Sequence, residues 1–178
     1  MKPALEMTSV PSWTIAAVQP DADTCGRSWT VIAFGPSGSE AARRWRAQIT
    51  PFAGGSAVRT HEVAADGDEQ ARAALIADLA DARVGWRLMI AAPAHSCLRL
   101  RALAIELGVA DDEMTVASTE VTSRSVQCAH CRTVTCASVE LGEVLPCSGC
   151  GRNLLVHHHV SRRLGAHLGF VADAEGAT

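Results

Sequence analysis

Four cysteines in the last third of the chain are the residues whose type and spacing call most plainly for chemistry. Cys128-Ala129-His130-Cys131 is answered by Cys147-Ser148-Gly149-Cys150, two Cys-x-x-Cys pairs with fifteen residues between them. Each pair can close a tight knuckle that brings two sulfurs to one point. Two knuckles meeting head to head present four thiolates in a tetrahedron, the arrangement a closed-shell zinc ion accepts. Iron is the main chemical competitor, because tetrahedral sulfur suits both metals. Gly149 and Gly151 offer the second knuckle small residues with backbone freedom. A catalytic zinc keeps a position open for water, whereas four cysteines close the shell, so the expected site is structural. Metal binding on the zinc-finger scale, about 10–16 kcal/mol, would fold a ribbon too small to have a core of its own.

The other candidate groups carry weaker signals. The chain has seven cysteines, an odd number, and with four in metal spacing this fits a reducing compartment, so the cytoplasm is expected. Cys25, Cys97 and Cys136 read as ordinary small thiols, buried or partly buried, with Cys136 the exception to watch because it lies inside the ribbon hairpin near the metal. His157-His158-His159 resembles a metal tract, but on an extended strand only His157 and His159 would share a face, and a histidine ordered by a neighbouring polar group is the expected outcome. His95-Ser96-Cys97 offers a nucleophile beside a base with no third member. No triad, paired-carboxylate site or P-loop pattern is found.

Composition narrows the classes. The 178 residues suffice for one domain of ordinary size and a small appendage, and at 48% apolar and 20% charged the chain is globular. A net charge of −3 argues against binding that depends on phosphate neutralisation, and 4% aromatic content without tyrosine leaves few platforms for stacked bases. No nucleic-acid partner is therefore expected. The first residues, Met1 to Glu6, hold no apolar core of a signal peptide, no membrane-spanning run is seen, and no membrane partner is expected.

The elements that must position the cysteines follow from periodicity. Residues 1–27, with Pro3, Pro11 and Pro20 and no sustained period, read as an arm in which Trp13 and Ile15 pack on a partner or on the chain's own surface. Residues 28–122 read as an α/β domain. Trp29–Phe34 is a buried strand, Gly35–Gly38 a turn, Ser39 the cap of a helix bearing Ala42, Trp45 and Ile49, and Gly54-Gly55 ends the unit. A weaker strand is expected over 57–63, a helix over 68–82 carrying Leu75, Ile76 and Leu79, and a strand over 87–92 closed by Pro93. Ser96 then caps a helix with Leu100, Leu103 and Leu107 inward, ended by Gly108, before a strand over 113–118. Such alternation implies a small open parallel sheet flanked by helices, with ligands received beyond the carboxyl ends of its strands, at Gly35–Ser39 and Pro93–Cys97. Residues 123–178 read as the ribbon and an extended tail, with 132–137 and 138–141 as the arms of one hairpin, Gly142 near a turn and Val144-Leu145 leading back to the metal.

Two resemblances attach to these residues. Phe34-Gly35-Pro36-Ser37-Gly38, Ala91-Ala92-Pro93 and Leu107-Gly108-Val109 resemble, in order, stations of the pyridine-nucleotide domain of ferredoxin-reductase-like flavoproteins. The first turn lacks that family's double glycine and Thr-Pro, Ala91 stands where its cysteine would face the nicotinamide, and the stretch from Val63 to Arg87 is short. The resemblance thus implies a reduced Rossmann-like scaffold that no longer holds NAD, with Gly35, Gly38 and Pro93 the candidates for contacting a nucleotide or flavin.

The second is carried by Cys128, Cys131, Cys147 and Cys150, by Val156-His157-His158-His159 with Ser161-Arg162-Arg163-Leu164, and by Leu168-Gly169-Phe170-Val171-Ala172-Asp173-Ala174. These resemble the C-terminal region of the small accessory subunit of bacterial dimethylamine monooxygenase. The resemblance implies a non-catalytic subunit of a heteromeric, NAD(P)H-dependent enzyme that demethylates dimethylamine to methylamine and formaldehyde. Its partners would be a haem-containing large subunit and a reductase subunit with FMN and iron–sulfur centres. Arg162, Arg163 and Phe170 are the expected interface residues, and Gly165 and Gly169 would allow close approach, to a neighbouring subunit among others. The competing readings are an electron-transfer component and a regulatory zinc ribbon.

Overall fold

The structure, a computed structural model, describes residues 4, 7–54 and 58–172. Its first half is a layered α/β unit. In chain order it comprises β1 (Ser28–Phe34), α1 (Gly35–Ile49), β2 (Val58–Val63), α2 (Asp68–Ala80), β3 (Trp86–Ala92), α3 (Ala94–Glu106) and β4 (Met114–Ser118). The four strands pair in parallel in the order β2-β1-β3-β4. Central strands of such a sheet are buried on both faces and read as unbroken apolar runs, and Trp29–Phe34 and Leu88–Ala92 are buried throughout. On one face, Trp29, Val31, Ala33, Met89 and Ala91 meet Ala41, Ala42, Trp45 and Ile49 of α1. On the other, Ile32, Phe34, Leu88 and Ile90 meet Leu75 of α2 and Cys97, Leu100 and Leu103 of α3. Leu107, expected inward, is 42% exposed, and Ile76 of α2 is 48% exposed.

Two helix starts differ from the sequence reading. α1 begins at Gly35 itself, with Pro36 in the first turn, and Ser39 lies inside the helix, where its hydroxyl donates to Glu62. Proline suits a first turn, since the missing N–H has no partner there. α3 begins at Ala94 after Pro93, so Ser96 is a buried residue of the first turn rather than a cap. Gly55 and Ala57, assigned to the end of the first unit and the start of the second strand, fall outside the described residues, as do Asp173 and Ala174.

The second half is a sheet of five strands: β5 (Ser123–Cys128), β6 (Val134–Ser138), β7 (Val144–Pro146), β8 (Asn153–Ser161) and β9 (Ala166–Val171), in the order β6-β5-β9-β8-β7. The single hairpin expected between 132 and 141 does not form. β6 pairs antiparallel with β5, and β7 pairs antiparallel with β8, so each knuckle closes its own hairpin. The expected tail is the centre of the sheet: β9 lies between β5, to which it runs parallel, and β8. Its inner face buries Val126, Leu154, Val156, Val160 and Leu145 against Val10, Leu98 and Trp13.

The arm runs over the chain's own surface. Ser9 accepts from the Val160 N–H at 2.9 Å, and Arg124 donates to the Thr14 carbonyl at 3.0 Å. Further along, Ser118 Oγ accepts from Val18 N–H at 3.0 Å, and Trp45 Nε1 donates to Pro20 O at 2.9 Å. Trp13 touches both the ribbon cluster and the α2/α3 cluster, so the arm straps one sheet to the other. The junction is tightened by Arg99 of α3, which pairs with Asp68 at 2.6 Å and donates to Ser125 of β5 at 2.8 Å. Gly165 and Gly169 do approach closely, but within the chain. A side chain at Gly165, where φ is +61°, would meet Leu98 O at 2.5 Å, and one at Gly169 would meet Val126 at 2.8 Å.

Candidate metal centre

Both knuckles are built on one plan. Cys128 N–H donates to Thr133 O and Arg132 N–H to Cys128 O, both at 2.9 Å; Cys147 N–H donates to Arg152 O and Gly151 N–H to Cys147 O, again at 2.9 Å. Each turn reverses through a left-handed residue directly after its second cysteine, Arg132 at φ 66° and Gly151 at φ 72°. Gly151 therefore serves its expected role, while the first knuckle places an arginine where glycine is at ease. Gly149 serves differently: its φ is ordinary, but a Cβ there would lie 2.8 Å from the Thr133 Cβ of the other knuckle. The knuckles are also tied by Ser148 N–H donating to Thr135 Oγ1 at 3.0 Å.

The four sulfurs lie within 4.8 Å of one another. Cys128 Sγ is 3.8 Å from Cys150 Sγ, and Cys131 Sγ is 3.5 Å from Cys147 Sγ. Disulfide sulfurs sit about 2.05 Å apart, so these are free thiols. A tetrahedral ion with metal–sulfur bonds of about 2.3 Å has sulfur–sulfur edges of about 3.8 Å, and the cage fits that figure. Backbone N–H groups of Cys131 and Gly149 point at the sulfurs of Cys128 and Cys147, at 3.5 and 3.4 Å. Hydrogen bonds from Thr133 pull the Cys131 thiol down to about 6. Backbone N–H groups of residues 150 and 149 lower Cys147. Cys150 is lowered by the Arg152 backbone but pushed up to about 11 by burial and the sulfurs of Cys131, Cys147 and Cys128. Sulfurs that cannot all ionise together are what a divalent cation stabilises as thiolates. The four cysteines are thus positioned to bind a metal ion.

The other candidates separate from this centre. Cys136 is exposed on β6 and Cys25 is exposed on the arm. Cys97 is fully buried, its thiol pushed up to about 12 by burial and donating to Ala92 O at 3.4 Å, so it is an inert core group. The histidine tract occupies an irregularity in β8, where four residue steps from Val156 to Val160 face two on β9, so simple alternation fails there. His157 stands edge-on to Phe170, with ring centroids 5.3 Å apart, and His159 Nδ1 lies 3.1 Å from Ser9 Oγ. Gly35 and Pro93 border the starts of α1 and α3, while Gly38 sits so close to β3 that a Cβ would meet Ala91 O at 2.5 Å. Arg162, Arg163 and Phe170 are exposed, the arginines in the β8–β9 turn.

Two polar clusters were missed from sequence. Asp78, buried in α2, accepts from Thr30 at 2.8 Å, His61 at 2.9 Å and Arg59 at 3.0 Å. It borders a cleft of about 250 Å³ at the amino ends of β1 and β3, away from the end where open α/β sheets receive ligands. Its signal in the sequence was an aspartate inside the apolar face marked by Leu75 and Leu79. Within the ribbon, His167 is 1% exposed with Nδ1 unpartnered among the described residues. Burial holds its imidazole down at about 4, and Arg124 and His158 add to the depression.

Residues 125–170, which run from β5 through most of β9, match the protein-family model described as dimethylamine monooxygenase subunit DmmA-like, C-terminal domain. The chain is also 41% identical over 97 residues to the heme-dependent oxidative N-demethylase delta subunit of Ectopseudomonas mendocina (strain ymp), covering 54% of each protein. It thus spans about half the length of that curated relative. No solved structure matches, and among the described residues no helix is long and apolar enough to cross a membrane. The ribbon over residues 125–170, which places four sulfurs around one point, is similar to the DmmA-like C-terminal domains, and the resemblance read from its cysteines and tail is met there.

Proposed function

We propose that this chain is a non-catalytic accessory subunit of a heteromeric, NAD(P)H-dependent haem monooxygenase that demethylates dimethylamine to methylamine and formaldehyde in the cytoplasm. In this reading the four-sulfur cage holds a structural zinc ion. A single observation supports it: the stretch that matches the DmmA-like domain is the one whose four sulfurs lie within 4.8 Å of one another, and an ion held by all four would have no ligand position left for substrate. Cys128, Cys131, Cys147 and Cys150 hold the ion, which cross-links the two knuckles at the edge of the apolar cluster that, contrary to the expectation of a coreless ribbon, fills the inner face of this sheet. Haem, flavin and iron–sulfur chemistry reside on the partner subunits, a haem-containing large subunit and a reductase, which this chain assembles or bridges.

The test is co-expression of the tagged chain with those two subunits from the same host, followed by size-exclusion chromatography and metal analysis. Expected are a stable complex carrying demethylase activity and one zinc per copy of this chain. Iron in the cage with visible absorbance would instead establish the electron-transfer reading, since tetrahedral sulfur accommodates either metal. Demethylase activity that is undiminished when this chain is omitted would refute the accessory role.

A further inference from the structure

The five-stranded sheet has its inner face against α3 and the arm, and its outer face bears an apolar stripe. The register sets Val144, Leu155 and Phe170 side by side across β7, β8 and β9. It likewise sets Leu168, Gln127 and Val134 side by side across β9, β5 and β6. Leu168 and Phe170 are two apart on one strand, so both rows share a face and the stripe crosses every strand of the sheet. Val134, Val144, Leu155 and Phe170 are 47%, 51%, 36% and 45% exposed. Gln127 is the one polar residue of the two rows, and an exposed surface so largely apolar, rimmed by polar groups, marks an interaction site.

Charge specifies the occupant. Arg132 and Arg152 at the metal end and Arg162 and Arg163 in the β8–β9 turn are all exposed, and none makes an ion pair among the described residues. By contrast, Arg59, Arg87, Arg99 and Arg101 of the α/β half each reach a carboxylate. Residues 123–172 contain five arginines against two glutamates in a chain of net charge −3. An apolar centre with arginine at its rim is the composition of a protein–protein interface. A two-fold pairing of identical copies would set these arginines against each other, which argues against self-association. A nucleic acid would need basic groups within the stripe and several stacking rings, and the stripe has one phenylalanine.

We propose that the outer face of the ribbon sheet, from Val144 to Val134, docks another protein subunit whose own surface is apolar at its centre and bordered by carboxylates. The proposal rests on the accessory-subunit reading and adds the face that does the work. The experiment uses the full chain co-expressed with the haem-containing and reductase subunits of the same host, separated by size exclusion at low and moderate salt. The combined substitution Leu155→Asp with Phe170→Asp is expected to cut co-elution at least tenfold while metal content and thermal transition stay those of the wild type. The set Arg152→Glu, Arg162→Glu and Arg163→Glu, confined to exposed positions, is expected to weaken co-elution and abolish its salt dependence.

Assembly of both variants at wild-type level would overturn the docking face and leave the subunit reading standing. Failure of the wild-type chain to join either subunit would overturn both. A wild-type homodimer dissolved by Phe170→Asp, or nucleic-acid retention lost in the arginine variant, would assign the face to another occupant and refute the proposal.

Discussion

The two sheets of this protein are stabilised by different physics. The four-stranded sheet is covered on both faces, with Trp29, Trp45, Ile32, Leu88 and Met89 all essentially inaccessible to water. Its stability comes from apolar area removed from solvent. The five-stranded sheet is covered on one face only, alternates buried with exposed residues along β8, and ends in a cage of four thiols. There a metal ion bound by the four cysteines would supply what a second apolar layer supplies in the other sheet. A chain of ordinary size can thus bury both faces of one sheet and leave one face of the other exposed.

Removing the metal should separate the halves most sharply. Chelation under reducing conditions, or Cys147→Ser, forfeits binding energy on the order of 10–16 kcal/mol. Hydrogen exchange should then rise across β5–β9 while β1, β3 and their helices stay protected; uniform loss of protection would show that the halves fold as one. The converse experiment is Trp45→Ala, which empties the α1 face and should cost about 3–5 kcal/mol by denaturant titration while metal content stays unchanged.

The next prediction concerns pH. The folded His167 imidazole titrates near 4, against an ordinary 6.5, because it is buried beside Arg124 and His158. Its stabilising contribution is complete above about 6.5, where both folded and unfolded forms are neutral. It is lost as pH falls from about 6.5 to about 4, because only the unfolded chain takes up the proton. The span corresponds to about 3 kcal/mol. His167→Leu should flatten stability across that window, measured by urea titration at successive pH values.

Gly165→Ala should act at the joint between the halves. It forces a Cβ into a left-handed position and against the α3 backbone, at a cost of about 2–3 kcal/mol. The expected signature is faster exchange at β8–β9 with little change in β1. The smallest effect expected is a gain. Arg132→Gly relieves a left-handed arginine in the first knuckle and should stabilise the metal-loaded ribbon by about 1 kcal/mol.

What could be read from sequence divides along the same line. Apolar runs buried on both faces are unambiguous, so 29–34 and 87–92 were legible as central strands, and the two Cys-x-x-Cys pairs announced their cage because ligand spacing is a local property. Pairing partners are not local. Residues 134–138 join 123–128 because the knuckle itself serves as the hairpin loop, whereas β9 reaches β5 from about forty residues along the chain, a pairing that no local pattern announces. The irregularity at His157–His159 and the close packing of Gly165 on α3 depend on elements far away in the chain. Gly35 and Pro36 were misread as turn residues because the same residues suit the first turn of a helix. The outer stripe was visible only as Phe170 until register placed Val144 and Leu155 beside it.

The central claim is that a coordinatively closed ion holds the ribbon together. X-ray absorption spectroscopy at the zinc edge, on protein purified without added metal and quantified by elemental analysis, tests it most directly. The account predicts one zinc per chain with four sulfur neighbours at about 2.3 Å and no oxygen or nitrogen ligand. A site with three sulfurs and a light-atom ligand, or one filled with iron, would contradict it.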